Sequence, residues 1–225
     1  MVHLSKGTQI LGGCFLFFLL LAGVGQAIPS LQLYIPGSTY DSLTETWVTH
    51  DSDFELQVLG ATSPDSAEYI KDVKLYVAIN ESENGLAGAF VKINGSAISF
   101  DIYGEPFTAG HGIYPTYYNA YSLPDLMVST AGKTVNNYNP GESGSDTGDI
   151  QYLQIEYGGY SSIRFDASGT VVDSCGKTWE RTAPFSHDAE ASASNPNAVP
   201  EPTTMLLLGT GLLGILRLRK RNIAL

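Results

Sequence analysis

Apolar and polar side chains alternate with a period of two along much of the middle of the chain. Such an alternation places the apolar side chains on one face of a β-strand and the polar ones on the other. It is typical of antiparallel sheets that pack one face against a core. The alternating runs are residues 54–58, 73–79, 98–102, 153–157 and 163–165.

Turn-forming dipeptides separate these runs. Asn94-Gly95 predicts a hairpin between residues 90–93 and 97–100, since a type I′ turn needs positive φ at both central residues. Asn84-Gly85 and Ser168-Gly169 are also predicted turns. No run of ten or more residues between the two chain ends has helical spacing. We therefore expect an all-β fold, an antiparallel β-sandwich of the jelly-roll or Ig-like kind.

Three segments of this middle region lack the alternation. Residues 107–124, rich in Tyr, Pro and Gly, and the polar residues 132–148 are predicted to be long surface loops. Residues 187–198 are rich in Ala, Ser and Asn and predict a flexible linker. The predicted sandwich domain is therefore residues 28–186.

The N-terminal segment, residues 1–27, has the pattern of a secretory signal. Lys6 precedes an apolar run over residues 10–24, and Gly25-Gln26-Ala27 places small residues before a cut at Ile28. A 15-residue helix spans roughly 22 Å, less than a bilayer core of about 30 Å. We expect a signal helix that directs the chain to the Sec export machinery and is then removed.

The C-terminal segment, residues 199–225, combines three features. Pro200-Glu201-Pro202 precedes an apolar run over residues 203–216, which predicts a short transmembrane helix. A basic cluster follows, formed by Arg217, Arg219, Lys220 and Arg221. Such clusters stay on the cytoplasmic side, so the region before them is translocated. We expect contact with the membrane through this segment, at least transiently.

The region between the two ends is strongly acidic. Residues 28–198 carry seven basic and 22 acidic side chains, a net charge of −15. Such a surface disfavours nucleic acid and anionic lipid as partners. It suits cations, or solubility outside the cell. Cys175 is the one cysteine of this region, so no disulfide forms within it, and we expect a buried small residue there.

The tyrosines of the first predicted loop are candidates for binding glycans, because exposed aromatic rings stack on the apolar faces of sugars. The alternative is that they pack the loop onto the sandwich, since aromatic side chains are mostly used for burial. The residues are Tyr114, Tyr117, Tyr118 and Tyr121.

Acidic side chains of the second predicted loop are candidates for a calcium site. Glu142, Asp146 and Asp149 lie among glycines and serines, and calcium takes six to eight oxygen ligands from flexible loops. Neither an EF-hand spacing nor a glycine-aspartate repeat accompanies them. Calcium is the one cofactor that the sequence suggests.

No arrangement of residues points to catalysis. His50 stands beside Asp51 and His187 beside Asp188, but neighbours on a strand point to opposite faces. The sequence contains no Gly-x-Ser-x-Gly, no His-Glu-x-x-His and no phosphate-binding glycine loop. We expect a protein that is not an enzyme and has no catalytic residues. A secreted glycoside hydrolase with two carboxylates stays an alternative, because it needs no fixed spacing.

The C-terminal segment closely resembles the PEP-CTERM sorting signal. Pro200-Glu201-Pro202, the short apolar run and the terminal basic cluster appear in that family's order. The resemblance implies recognition by an exosortase, a membrane-bound processing enzyme of Gram-negative bacteria that make exopolysaccharide. It also implies cleavage near the motif and delivery to the cell surface or matrix.

The region before the tail resembles the outer domain of choice-of-anchor proteins, type N. The resembling stretches are residues 31–35, 111–116 and 183–190. This family is defined by its anchors and not by an activity, so the resemblance implies surface location alone. We expect an exported, non-catalytic surface or matrix protein associated with exopolysaccharide or biofilm. A carbohydrate-binding module that uses the tyrosine-rich loop is the alternative.

Overall fold

β-Strands of 3 to 14 residues and a single 3-10 turn are the regular elements of the part of the chain that the structure describes. The computed structural model describes residues 28–106, 115–184 and 188–193. The predicted signal helix and transmembrane helix lie outside these residues. Within them, no helix is long and apolar enough to cross a membrane. The strands are β1 (Leu31–Tyr34), β2 (Thr39–Asp41), β3 (Thr46–Thr49), β4 (Asp53–Ala61), β5 (Ala67–Ile79), β6 (Phe90–Ile93), β7 (Ser96–Ile98), β8 (Ile102–Gly104), β9 (Thr116–Ser122), β10 (Lys133–Asn136), β11 (Ser145–Gly158), β12 (Ser162–Asp173), β13 (Thr178–Thr182) and β14 (Asp188–Ser192), and the 3-10 turn is Glu81–Glu83.

The strands form two sheets. The first has the order β1-β4-β11-β6-β7, with β10 also paired to β11. The second has the order β2-β3-β14-β12-β5-β9-β8, with β13 also paired to β12. The pair of β14 with β3 is parallel, and the other strand pairs described are antiparallel.

The main core lies between the two sheets, as in a β-sandwich. Each long strand turns its alternate apolar side chains inward, so both sheets contribute to one buried cluster. Phe54 of the first sheet meets Phe165 of the second edge to face, with ring centroids 6.0 Å apart. The largest fully buried side chains are Phe165, Leu31, Leu33, Ile35, Leu56, Leu59, Ile70, Leu75, Ile93, Leu126, Ile155 and Ile163. The predicted all-β fold is confirmed.

The predicted hairpin is confirmed. Asn94 and Gly95 join β6 to β7 with φ of 51° and 77°, the positive values that a type I′ turn requires. The neighbouring alternating run, residues 98–102, is not one strand. Its first residue ends β7 in the first sheet and its last begins β8 in the second, so this run crosses between the sheets.

Both predicted long loops contain strands, and so does the predicted linker. β9 lies within residues 107–124, while β10 and the start of β11 lie within residues 132–148. β14 occupies residues 188–192, where a linker was predicted, so the sandwich extends past residue 186. Ser168-Gly169 is not a turn but lies inside β12, where the register with β5 shifts at an irregularity. These segments are polar or built of small residues, and pairing with neighbours on the sheet overrides their weak propensity.

Candidate functional site

The predicted tyrosines do not share one surface. Tyr117 and Tyr121 of β9 pack against the main core, whereas Tyr118 lies on the opposite face of the strand, its ring centroid 6.2 Å from that of Tyr76. Alternation along a strand requires this division. Tyr114 lies outside the described residues. The three rings that the structure describes therefore do not form one face, and glycan binding by these residues stays a prediction.

The three predicted calcium ligands bind separate protein groups. Glu142 Oε2 accepts a hydrogen bond from Asn137 Nδ2 at 2.8 Å. Asp146 accepts bonds from the Thr62 hydroxyl at 2.8 Å and from two backbone N–H groups. In the described ranges, no three His, Cys, Asp or Glu side chains are grouped as metal ligands would be. The structure does not bring these carboxylates together.

Asp149 is held on β11 by three contacts. Its Oδ1 accepts the N–H of Ile150 at 2.8 Å and lies 3.0 Å from Lys133 Nζ. Its Oδ2 accepts the N–H of Met127 at 3.0 Å. Burial alone would raise its pKa, but the hydrogen bonds and the charge of Lys133 outweigh that cost and hold the pKa below its usual value. Asp149 is therefore ionised at neutral pH.

One edge of β11 is incompletely paired. On one side, β4 pairs with β11 from Gly148 to Glu156. On the other side, β10 pairs with β11 only as far as Gly148, and the pairing with β6 begins only at Ile155. The turn residue Asn94 covers Gln154, exchanging backbone and side-chain hydrogen bonds of 2.8 and 2.9 Å with it. A short gap is left between β10 and β6.

The backbone of Tyr152 faces this gap. The carbonyl of Thr147 and the N–H of Tyr157 point to the β4 side, whereas Gln154 bonds Asn94 on the other side. Since backbone groups alternate along a strand, even-numbered residues of β11 face the gap. No described strand pairs with Tyr152 there. Its N–H and C=O are open to a ligand.

The gap opens into a cleft of about 550 Å³, which we call the β11 cleft. It lies between the edge of β11 and the chain that leaves β9. Gln151 Nε2 donates to the carbonyl of Pro124 at 2.6 Å and so joins the two walls. The lining residues are Asn94, Tyr121, Ser122, Leu123, Pro124, Asp125, Lys133, Asp149, Ile150, Gln151, Tyr152 and Leu153.

The charges of the cleft are partly neutralised within it. Lys133 Nζ donates to the carbonyl of Ile150 at 2.7 Å, contacts Asp149, and lies 5.5 Å from the ring centroid of Tyr152. Asp125 is exposed and makes no hydrogen bond or ion pair among the described residues. One cation and two carboxylates therefore line the cleft, which has a slight negative charge.

Sequence reasoning found two residues of the cleft and missed the rest. Tyr121 and Asp149 were candidates for other reasons, as a loop tyrosine and as a calcium ligand. Tyr152 directly precedes the predicted alternating run 153–157, and its 51% exposure follows from alternation with the buried Leu153. The pairing of β10 and β6 with different parts of β11 has no signal in the sequence.

His50, which stands beside Asp51 in the sequence, contacts a backbone group. His50 Nδ1 lies 3.0 Å from the carbonyl oxygen of Ser192, a contact between the ends of β3 and β14. His187 lies outside the described residues. His50 therefore contacts the backbone at the end of a neighbouring strand of the second sheet.

Comparison with known families concerns the C-terminal tail. Residues 198–221 match the PEP-CTERM protein-sorting motif. The chain carries this sorting signal. The match spans the predicted sorting residues, namely Pro200, Glu201, Pro202, Arg217, Arg219, Lys220 and Arg221, all of which lie outside the described structure.

The PEP-CTERM signal identifies the route of the protein. It implies export, processing by an exosortase and association with the cell surface. No curated protein and no solved structure matches the chain. The sorting signal therefore accounts for the location of the protein, and the activity of the β-sandwich is argued from its own residues.

Proposed function

We propose that the protein is a non-catalytic component of the bacterial cell surface or extracellular matrix, associated there with exopolysaccharide. The sorting signal carries the proposal, because it directs the chain out of the cell and to an exosortase. The domain delivered by this route is the β-sandwich. In a Gram-negative host that forms biofilm or flocs, its role is structural or adhesive.

The charge of the exported region supports a partner that is not anionic. Residues 28–198 have a net charge of −15, which repels nucleic acid and acidic lipid head groups. A neutral polysaccharide meets no such repulsion, and its hydroxyl groups can exchange hydrogen bonds with a polar surface. Retention in the matrix then depends on many weak contacts along a polymer.

Fractionation of the host tests this function. The protein is followed by immunoblot in cells, washed matrix and medium, in the wild type and in a strain unable to make exopolysaccharide. We expect matrix retention in the wild type and release into the medium without the polysaccharide. Equal distribution in the two strains would contradict the association with polysaccharide.

A second assay addresses catalysis. The purified protein is incubated with the matrix polysaccharide, and newly formed reducing ends are measured over time. We expect none above a heat-denatured sample. Steady release of reducing ends, lost on replacement of one or two carboxylates, would instead establish a hydrolase.

A further inference from the structure

The β11 cleft offers hydrogen-bonding groups of both kinds. The N–H of Tyr152 donates and its C=O accepts, and neither is used by a neighbouring strand that the structure describes. Asp125 provides a carboxylate that can accept a hydrogen bond, while Lys133 and Asp149 form an ion pair with each other. A sugar hydroxyl is both a donor and an acceptor, so a mixed set of this kind suits a carbohydrate better than an ion.

The ring of Tyr152 adds an apolar surface beside Lys133, on the face of β11 opposite the buried Leu153. Half of this side chain is exposed, at 51%, and Lys133 Nζ lies on its ring at 5.5 Å from the centroid. This contact holds the ring in position beside the cleft. An aromatic ring combined with nearby polar groups is the usual means by which a protein binds the apolar face and the hydroxyls of one sugar.

The charge of the cleft favours neutral sugars over anionic ones. The single ammonium group, on Lys133, is already paired with Asp149, and Asp125 leaves an uncompensated carboxylate. A uronate or a sulfated sugar would meet this carboxylate and the −15 charge of the exported region. A neutral hexose carries no charge, so neither the carboxylate nor the net charge would repel it.

We propose that the β11 cleft binds a neutral sugar unit of the extracellular polysaccharide. The inference rests on the proposed association with polysaccharide and names the site and the ligand class. A volume of about 550 Å³ is within the range of pockets for small ligands, which admits a short stretch of chain rather than a long groove. Affinity for one unit is weak, and the repeating polymer supplies avidity.

The test uses the protein purified from its host in the form found there. The probe is polysaccharide from the host's own matrix, separated by anion exchange into a neutral and an acidic fraction. Binding is measured by affinity electrophoresis for the wild type, Tyr152→Ala, Tyr152→Phe and Asp125→Ala. Tyr103→Ala is the matched control, because Tyr103 is 54% exposed on β8, in the other sheet. Circular dichroism checks that each variant is folded.

We expect the wild type to bind the neutral fraction, and Tyr152→Ala to weaken that binding about tenfold or more through loss of the ring. Tyr152→Phe and the control Tyr103→Ala should bind as the wild type does, and Asp125→Ala should bind more weakly. Equal binding by Tyr152→Ala and the wild type would overturn the site while leaving the proposed function intact. Preference for the acidic fraction would overturn the ligand class. Binding to neither fraction would overturn both the site and the association with polysaccharide.

Discussion

Arg181 donates two parallel hydrogen bonds to Asp65, from Nε at 2.8 Å and from Nη2 at 2.7 Å. The hydroxyl of Ser30 donates a third bond, at 2.7 Å, to Oδ2 of the same carboxylate. These contacts join β13 to the connection between β4 and β5 and to the residue that precedes β1. The hydrogen bonds from Arg181 are the largest of the effects that hold the pKa of Asp65 below its usual value of 3.8.

Asp65→Asn should therefore lower stability in a manner that depends on pH. At pH 7 we expect a loss of about 1–2 kcal/mol in the free energy of unfolding, limited because Arg181 is partly exposed. A carboxylate with a lowered native pKa stabilises the fold above its unfolded pKa, and that contribution disappears as the pH falls through the native value. The difference between the wild type and the variant should shrink below about pH 4.

Urea unfolding between pH 3 and pH 7 measures this difference. Glu156→Gln is the control, because it breaks the exposed pair of Lys92 and Glu156, in which both side chains are 38% exposed. We expect that control to cost about 0–1 kcal/mol. A difference for Asp65→Asn that stays constant down to pH 3 would contradict the assigned role of the ion pair.

Gly148 is predicted to be intolerant of any side chain. A methyl group at this position would overlap the carbonyl oxygen of Gly60 on the neighbouring strand. Since backbone cannot yield as a side chain does, Gly148→Ala should destabilise the protein by about 3 kcal/mol. Gly158→Ala, on the same strand, would meet only the ring of the exposed Phe90, so a smaller loss is expected. Thermal unfolding compares the two, and equal losses would count against this account.

Alternation identified the strands that build the core. Residues 54–58, 73–79, 153–157 and 163–165 all lie in the long strands β4, β5, β11 and β12, because buried and exposed side chains must alternate there. β14, in contrast, was not predicted as a strand. Its buried apolar residues are Ala189 and Ala191, which are too small to mark a strand, and its pairing with both β12 and β3 stabilises it. Such long-range pairing is absent from any local pattern.

Candidate sites were harder to predict than strands. The tyrosines of β9 are close together in sequence but divided between two faces, while Tyr121 and Tyr152 are distant in sequence and line one cleft. Which backbone groups a sheet leaves unpaired depends on register between strands, and residue types along one strand do not reveal it. The sorting signal was predictable because its features are contiguous.

Cys175 is exposed, contrary to the prediction of a buried residue. It lies in the turn between β12 and β13, where its N–H donates to Asp173 Oδ1 at 2.8 Å. The processed chain lacks Cys14 if cleavage occurs before Ile28. A maleimide reagent should therefore modify one thiol per molecule in the native state, measured by mass spectrometry. Protection of this thiol until the protein is unfolded, or modification of two thiols, would contradict the account.

Calcium should have no effect on stability. The carboxylates of Asp146 and Asp149 already accept hydrogen bonds from several protein groups, and Glu142 is bound to Asn137. A calcium ion would have to displace these donors to gather its six to eight oxygens. We expect the same melting temperature with about 1 mM calcium as with a chelator. A rise on addition of calcium, reversed by the chelator, would show that the carboxylates do converge on an ion.

The intact mass of the protein recovered from its host tests the central claim most directly. Samples from the wild type and from a strain without exosortase are compared by mass spectrometry. We predict a chain in the wild type that begins at Ile28 and ends near Pro200–Pro202, and a longer chain without exosortase. A wild-type mass that still includes residues 203–225 would contradict processing by exosortase and would instead indicate a protein anchored by its C-terminal segment.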